Sequence, residues 1–305
     1  MKRNIILDVD TGIDDAIAIV LALGQQNAKI ELISCVYGNC NVEFATRNTL
    51  NIINLAERTE IPVVKGEEKP LLYDFDDSLQ VHGKTGLGEY VFPPNKVGRL
   101  RDNAIDALKD AILRAKGKVT IVALGPLTNI AKLLYVYPKV IKKIEAIVIS
   151  GGLLEDNKRK PYIGFNISQD SYAVEFIFNS KVKTIICPSD FGHRAYLSLD
   201  DQEKLAKQNK TGEIFKEIFK FYKDRHVGGG NAATHDACAV ACALEPNIFK
   251  FENRYVYLRK IRAAGKSIID FDAKLKKKHI KAKVAIDMNE QAFKKSLFEA
   301  FKKMP

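Results

Sequence analysis

No apolar run in this chain approaches the roughly 20 residues needed to span a bilayer, so no membrane helix is expected. The first apolar segment begins almost at Met1 and leaves no room for a secretory leader, so the expectation is a cytoplasmic protein. Cysteine is scarce and odd in number. Cys35, Cys40, Cys187, Cys238 and Cys242 lie scattered, largely in apolar segments, and none has a CxxC partner. That excludes a disulfide framework or a cysteine zinc site and points to buried free thiols. No internal repeat or low-complexity linker interrupts residues 1–305, which favours a single domain. Although the net charge is +11, lysines are interleaved with Asp and Glu throughout. The one dense block, Lys274 to Lys281, has no neighbouring aromatic platform, so it reads as a solvated loop and no nucleic-acid partner is expected.

What the chain does have is a 46% hydrophobic content over 305 residues, ample for a core. Apolar stretches at 4–9, Ile30–Tyr37, Ile61–Val64, Val119–Leu124, Ile144–Ile149 and Val182–Cys187 read as strands. They alternate with helical patterns at 16–23, 42–56, 104–115, 199–208, 213–222 and 237–244. The alternation predicts an α/β fold, an open and mostly parallel sheet flanked by helices. Strands around Arg254–Leu258, Lys266–Phe271 and Lys283–Ile286 predict a β-rich C-terminal section.

Four carboxylates, Asp8, Asp10, Asp14 and Asp15, crowd the junction between the first strand and the first helix. Alternation along a strand puts Asp8 and Asp10 on one side near its carboxyl end, where open α/β sheets bind ligands. Aspartate is depleted in strands and costly to bury unpaired, which favours a functional anion cluster able to hold a hard cation. Asp14 and Asp15 also suit the positive end of a helix, so capping is the competing reading for them. The ends of later segments carry Asn39, Leu124, Asn166 and the pair His235-Asp236, so a common rim of the sheet would gather them. Asp236 would then add a carboxylate to the cation, Asp10 would deprotonate a bound water, and His235 would protonate a departing group on the opposite side. Taken alone, His235 reads as a structural or helix-start residue; its position beside Asp236, opening a helix after Gly228-Gly229-Gly230, is what favours the acid role. His82, among glycines in a long loop, either lines a lid or is simply exposed.

The block Asp8-Val9-Asp10-Thr11-Gly12-Ile13-Asp14-Asp15-Ala16 resembles the amino-terminal signature of the nucleoside hydrolases. Gly38-Asn39, Ala45-Thr46-Arg47-Asn48, His82 to Leu87, Gly125 to Asn129, Phe165-Asn166 and His235-Asp236 resemble the later blocks of that family, in the right order. The resemblance implies calcium-dependent hydrolysis of the N-glycosidic bond of a nucleoside by a homodimer or homotetramer. By similarity, Asp10, Asp15, Asp236 and the Leu124 carbonyl hold Ca²⁺. Asp10 is also the base, Asp14 and Asn166 bind sugar hydroxyls, His235 assists the leaving base, and Asn39 and His82 lie near sugar or base.

The chain departs from that pattern between Gly151 and Asn166. Gly164 stands where the family has a glutamate for the 5′ end of ribose, and an upstream sugar-binding asparagine falls on Lys158, with Asn157 adjacent and able to substitute. A nucleoside altered at its 5′ end or in its base is one consequence; ordinary nucleosides handled by a realigned loop are the other. Two further readings stand beside hydrolysis. Asp8-Val9-Asp10 superficially matches haloacid-dehalogenase-like phosphohydrolases, but Gly12 breaks that motif and Asp14-Asp15 is unexplained by it. The other is a calcium-dependent nucleoside-binding protein without turnover.

Overall fold

The computed structural model describes residues 2–72, 74, 77–93, 100–101, 103–152, 154, 164–222, 228–261, 266–272 and 280–305. Ten strands form one sheet: β1 (Arg3–Val9), β2 (Ala28–Cys35), β3 (Val63–Lys65), β4 (Leu100–Arg101), β5 (Val119–Ala123), β6 (Ile144–Ser150), β7 (Thr184–Cys187), β8 (Phe249–Ile261), β9 (Lys266–Asp272) and β10 (Ile280–Met288). Their order is β4-β3-β2-β1-β5-β6-β7-β10-β8-β9. Pairing is parallel from β4 through to β10, and antiparallel where β8 joins β10 and β9 joins β8. The open, mostly parallel sheet read from the alternation is therefore present. The β-rich C-terminal section extends this same sheet.

Around it lie α1 (Ile13–Gly24), α2 (Val42–Leu55), α3 (Leu79–His82), α4 (Ala104–Arg114), α5 (Thr128–Val136), α6 (Phe165–Gln169), α7 (Ser171–Asn179), α8 (Asp190–Arg194), α9 (Leu199–Ala206), α10 (Lys210–Tyr222), α11 (His235–Leu244) and α12 (Glu290–Lys302). Ile5, Leu7 and Val9 pack into one apolar layer with α1, α11 and α12, while Ile6 packs into the other with α4, α5 and α7. Covering both faces is what lets parallel strands be apolar at nearly every position. All twelve residues of α1 are buried, which explains its apolar run of Ala, Ile, Val and Leu. Each such branched side chain contributes about 1.5–3 kcal/mol relative to exposure. Among the described residues no helix is long and apolar enough to cross a membrane, and all five cysteines are buried and free. The Lys274 block lies largely outside the described residues.

The order of strands locates the site. From β1 the chain works outward through β2, β3 and β4, then returns to place β5 on the other side of β1. The carboxyl ends of β1 and β5 thus face a topological switch point, the crevice where open α/β sheets accept ligands.

Candidate active site

At that switch point β1 ends in Asp8 and Asp10, and the turn through Gly12 enters α1 with Asp14 and Asp15 in its first turn. All four are buried, Asp14 retaining 8% exposure. Asp15 is held by the turn itself: its Oδ1 accepts the Asp10 N–H at 3.2 Å, and its Oδ2 accepts the Gly12 N–H at 2.9 Å and Asn39 Nδ2 at 3.0 Å. Capping and function thus coincide in this residue, because one carboxylate closes the turn and joins the acid cluster. Asp10 Oδ2 accepts the Asn39 N–H at 2.8 Å. A Cβ on Gly38 would stand 2.0 Å from that same oxygen, and Gly38 has φ +153°, so only glycine fits there. Asp8 lies deeper, accepting from Ser34 Oγ at 2.5 Å and Asn129 Nδ2 at 2.8 Å.

Three carboxylate oxygens, Asp8 Oδ2, Asp10 Oδ1 and Asp14 Oδ1, are buried without a hydrogen-bond partner among the described residues. Asp14, Asp15 and Asp236 each offer an oxygen within 4.8 Å of the other two. Burial, then the Asp15 charge, pushes Asp14 up to about 7; burial pushes Asp8 up to about 7 and Asp15 to about 6. Asp10 and Asp236 are also raised well above the ordinary carboxylate range, by burial first and then by their carboxylate neighbours. Orphaned oxygens crowded in this way fit a hard, oxygen-seeking cation, which would offset their repulsion.

A cavity of about 360 Å³ opens above the cluster, within the range of small-molecule sites. Asp14, Asn39, His82, Asn166, His235 and Asp236 all line it, so six residues singled out from the sequence share one wall. Asp10, Asp15 and Leu124 are not part of its lining, and Asp10 is not one of the three carboxylates grouped within 4.8 Å. The Leu124 carbonyl accepts from Asn166 Nδ2, which ties the start of α6 to the end of β5. Asn157, like Glu155, Asp156 and Lys158 to Lys160, lies outside the described residues.

The two histidines are oriented by backbone groups. His82 is 4% exposed, and its Nδ1 accepts the Ile13 N–H at 3.1 Å. A neutral ring therefore carries its proton on Nε2, and the 3.9 Å approach of Asp14 to Nδ1 is no hydrogen bond. His235 opens α11, and its Nδ1 donates to the Ser189 carbonyl at 2.9 Å, because a carbonyl can only accept. Nε2 is the ring's other nitrogen, and His235 lines the cavity. Sequence reasoning missed Ser150, Ser168, Gln169 and Ser189 in the cavity wall, which Asp77, Ser78, Gln80 and Val81, from the same stretch as His82, also line. The four missed residues are common polar types at the end of β6, in the short α6 and just before α8, and only the fold brings them together.

Gly192 of α8 packs directly beneath His235: a Cβ there would lie 2.3 Å from Nδ1, 2.5 Å from the His235 nitrogen and 2.6 Å from its Cα. Gly192→Ala is therefore expected to push α8 and α11 apart, destabilising by about 1–3 kcal/mol as overpacking does. Denaturant unfolding of the two proteins measures it.

Fold and site together define an α/β enzyme whose acidic pocket suits a polyhydroxylated substrate and a cation. Residues 5–295 match the family described as inosine-uridine preferring nucleoside hydrolase. The non-specific ribonucleoside hydrolase RihC of Salmonella typhi is 34% identical over 304 residues, covering 99% of this chain and 98% of that protein. Among solved structures, the plant nucleoside hydrolase PpNRh1 superposes with TM-score 0.88 at 26% identity, over 99% of each chain. The purine-preferring ribonucleoside hydrolase of Gardnerella vaginalis gives 0.86 at 27% identity, over 98% of each. The chain belongs to the inosine-uridine preferring nucleoside hydrolase family, and it is an enzyme that hydrolyses the N-glycosidic bond of nucleosides. The phosphohydrolase reading of Asp8-Val9-Asp10 falls with that membership.

Proposed function

We propose that the cation is Ca²⁺, that Asp10 activates water, and that the substrate is an unmodified ribonucleoside. The observation that carries this reading is the convergence of Asp14, Asn39, His82, Asn166, His235 and Asp236 on one cavity above buried, under-satisfied carboxylates. Asp15 and Asp236 hold Ca²⁺, with Asp10 Oδ1 and the Leu124 carbonyl as further ligands, while Asp14 and Asn166 meet sugar hydroxyls. Calcium, when bound, supplies a Lewis acid toward water and vicinal hydroxyls.

The protein's own groups divide the remaining work. Asp10 takes a proton from water as the oxygen adds to C1′ of the sugar. The C1′–N bond breaks, its electron pair passes to the base, and His235, as the imidazolium with Nδ1–H kept on the Ser189 carbonyl, delivers a proton there from Nε2. The transition state carries positive charge on the sugar, which the surrounding carboxylates stabilise. The exposed apolar side chains of Leu113, Tyr135 and Val136 support assembly as a homodimer or homotetramer of single-domain chains.

A second reading rests on Gly164. A Cβ there would stand 2.7 Å from the Gly152 nitrogen, so this backbone does not accept a glutamate in place of the glycine. A substrate altered at its 5′ end would not need that carboxylate. A panel of uridine, inosine, modified purine nucleosides and nucleoside 5′-phosphates decides, read as free base released. Fast turnover of uridine or inosine is expected, with the 2′-deoxy analogues slower by on the order of a hundredfold or more because site groups lose their partner. Faster turnover of an altered nucleoside overturns the ordinary-substrate reading. Tight binding with no base release would make the chain a binding protein.

A further inference from the structure

We propose that His193 is a positioning residue that fixes the plane of the His235 imidazole and so aims its Nε2 into the cavity. The proposal rests on the reading of His235 as the group that assists the departing base.

One short stretch of chain grips His235 from three sides. The Ser189 carbonyl takes the Nδ1 proton at 2.9 Å. Gly192 lies so close that no side chain fits between it and the ring. The His193 ring then meets the His235 ring at 4.6 Å between centroids and 83° between planes, an edge-to-face contact. Each contact removes a different freedom. The hydrogen bond to Ser189 sets which nitrogen faces inward but still permits the ring to rock about its Cβ–Cγ bond, a soft, broad torsion. Gly192 limits how far the ring can sink toward α8. A flat neighbour at right angles restrains the rocking, and His193 is such a neighbour.

His193 is not among the residues that line the cavity, whereas His235 is. Its action is therefore through His235. Arg194, the next residue, is occupied elsewhere, with Asp287 and Glu290 at 3.2 and 2.8 Å. That pair of ion contacts anchors the carboxyl end of α8 to the end of β10 and the start of α12, next to the His193 backbone. Nothing local in the sequence marks the pairing, since 42 residues separate the two rings.

The test uses the full-length enzyme with saturating Ca²⁺ and two probes: whichever of inosine and uridine turns over faster, and 4-nitrophenyl β-D-ribofuranoside, whose leaving group departs without a proton. Single-turnover rates are compared for His193→Leu, His193→Phe, His235→Ala and the double variant His193→Leu/His235→Ala. His193→Leu is expected to slow the nucleoside about tenfold, the scale of a modest misalignment of a reacting group. Its half-saturating concentration should stay unchanged and the nitrophenyl riboside unaffected. His193→Phe, which keeps a flat ring, should recover most of the loss, and His193→Leu should cost nothing further once His235 is alanine. An equal loss on both probes, no rescue by phenylalanine, or a full loss persisting in the His235→Ala background each overturns the proposal. Failure of the underlying reading shows separately: His235→Ala alone would then slow both probes alike, and non-additivity of the double variant would still judge whether His193 acts through His235.

Discussion

Asp10→Asn is expected to abolish practical turnover, lowering the rate of base release by roughly 10²- to 10⁴-fold, the range that a positioned general base supplies. The substitution preserves shape, which matters because Gly38 and Gly125 close on this side chain from two sides. An asparagine can turn its carbonyl oxygen toward the Asn39 N–H and keep the 2.8 Å contact that Asp10 Oδ2 makes now. What disappears is the charge and the second oxygen, Oδ1, which has no hydrogen-bond partner among the described residues. Loss of activity would therefore report chemistry. Stability should move the other way: burial first, then the Asp15 and Asp14 charges, disfavour an ionised Asp10, so a neutral side chain there relieves that cost in the cation-free protein. A kinetic assay of base release paired with a thermal melt in chelator measures both. Substantial residual activity removes Asp10 as the base, and the same holds for Asp10→Ala.

Much of this arrangement is legible in the sequence because periodicity and chemistry coincide there. Just before Asp8 the strand is apolar at Ile5, Ile6 and Leu7 because both its faces are buried there, and the helix after Asp15 is apolar all round for the same reason. Aspartates set into such a segment stand out. Asn39, Asn166 and His235-Asp236 stand out less. They were readable because each follows an apolar strand or opens a helix, and the parallel sheet sends those ends to one rim. The short helices α3 and α8 left no such trace, since a single turn has no periodicity and tertiary contacts hold it in place. α8 is the clearest case: its contributions are a main-chain carbonyl just before it, a glycine without a side chain, and a histidine that matters only through its neighbour. The place of Asp14 beside Asp15 and Asp236 was equally hidden, because strand alternation says nothing about side chains on the first turn of a helix.

Removing the cation is expected to abolish activity and to reverse the protein's response to pH. In the cation-free protein Asp8 and Asp14 sit at about 7 and Asp15 at about 6, all raised from an ordinary 3.8 by burial. A carboxyl raised on folding binds its proton more tightly in the folded state than in the unfolded chain. Its favourable contribution is complete below the unfolded value and is lost as pH rises through the folded one. Stability in chelator should therefore fall steadily between about pH 4 and pH 7 as these groups ionise against one another. Calcium requires the ionised carboxylates, so its stabilisation grows over the same interval, reaching about 2.7 kcal/mol when the free ion is at a hundred times its dissociation constant. Melting temperatures in EGTA and in excess Ca²⁺ should diverge with rising pH and converge at about pH 4, and activity should return when Ca²⁺ is restored. Mg²⁺ should do less, because its small octahedral shell tolerates a crowded carboxylate cage poorly. A cation-free protein whose melting temperature is flat or rises from about pH 4 to pH 7 would remove the acid cluster as the cation site, and equal rescue by Mg²⁺ would remove calcium as its occupant.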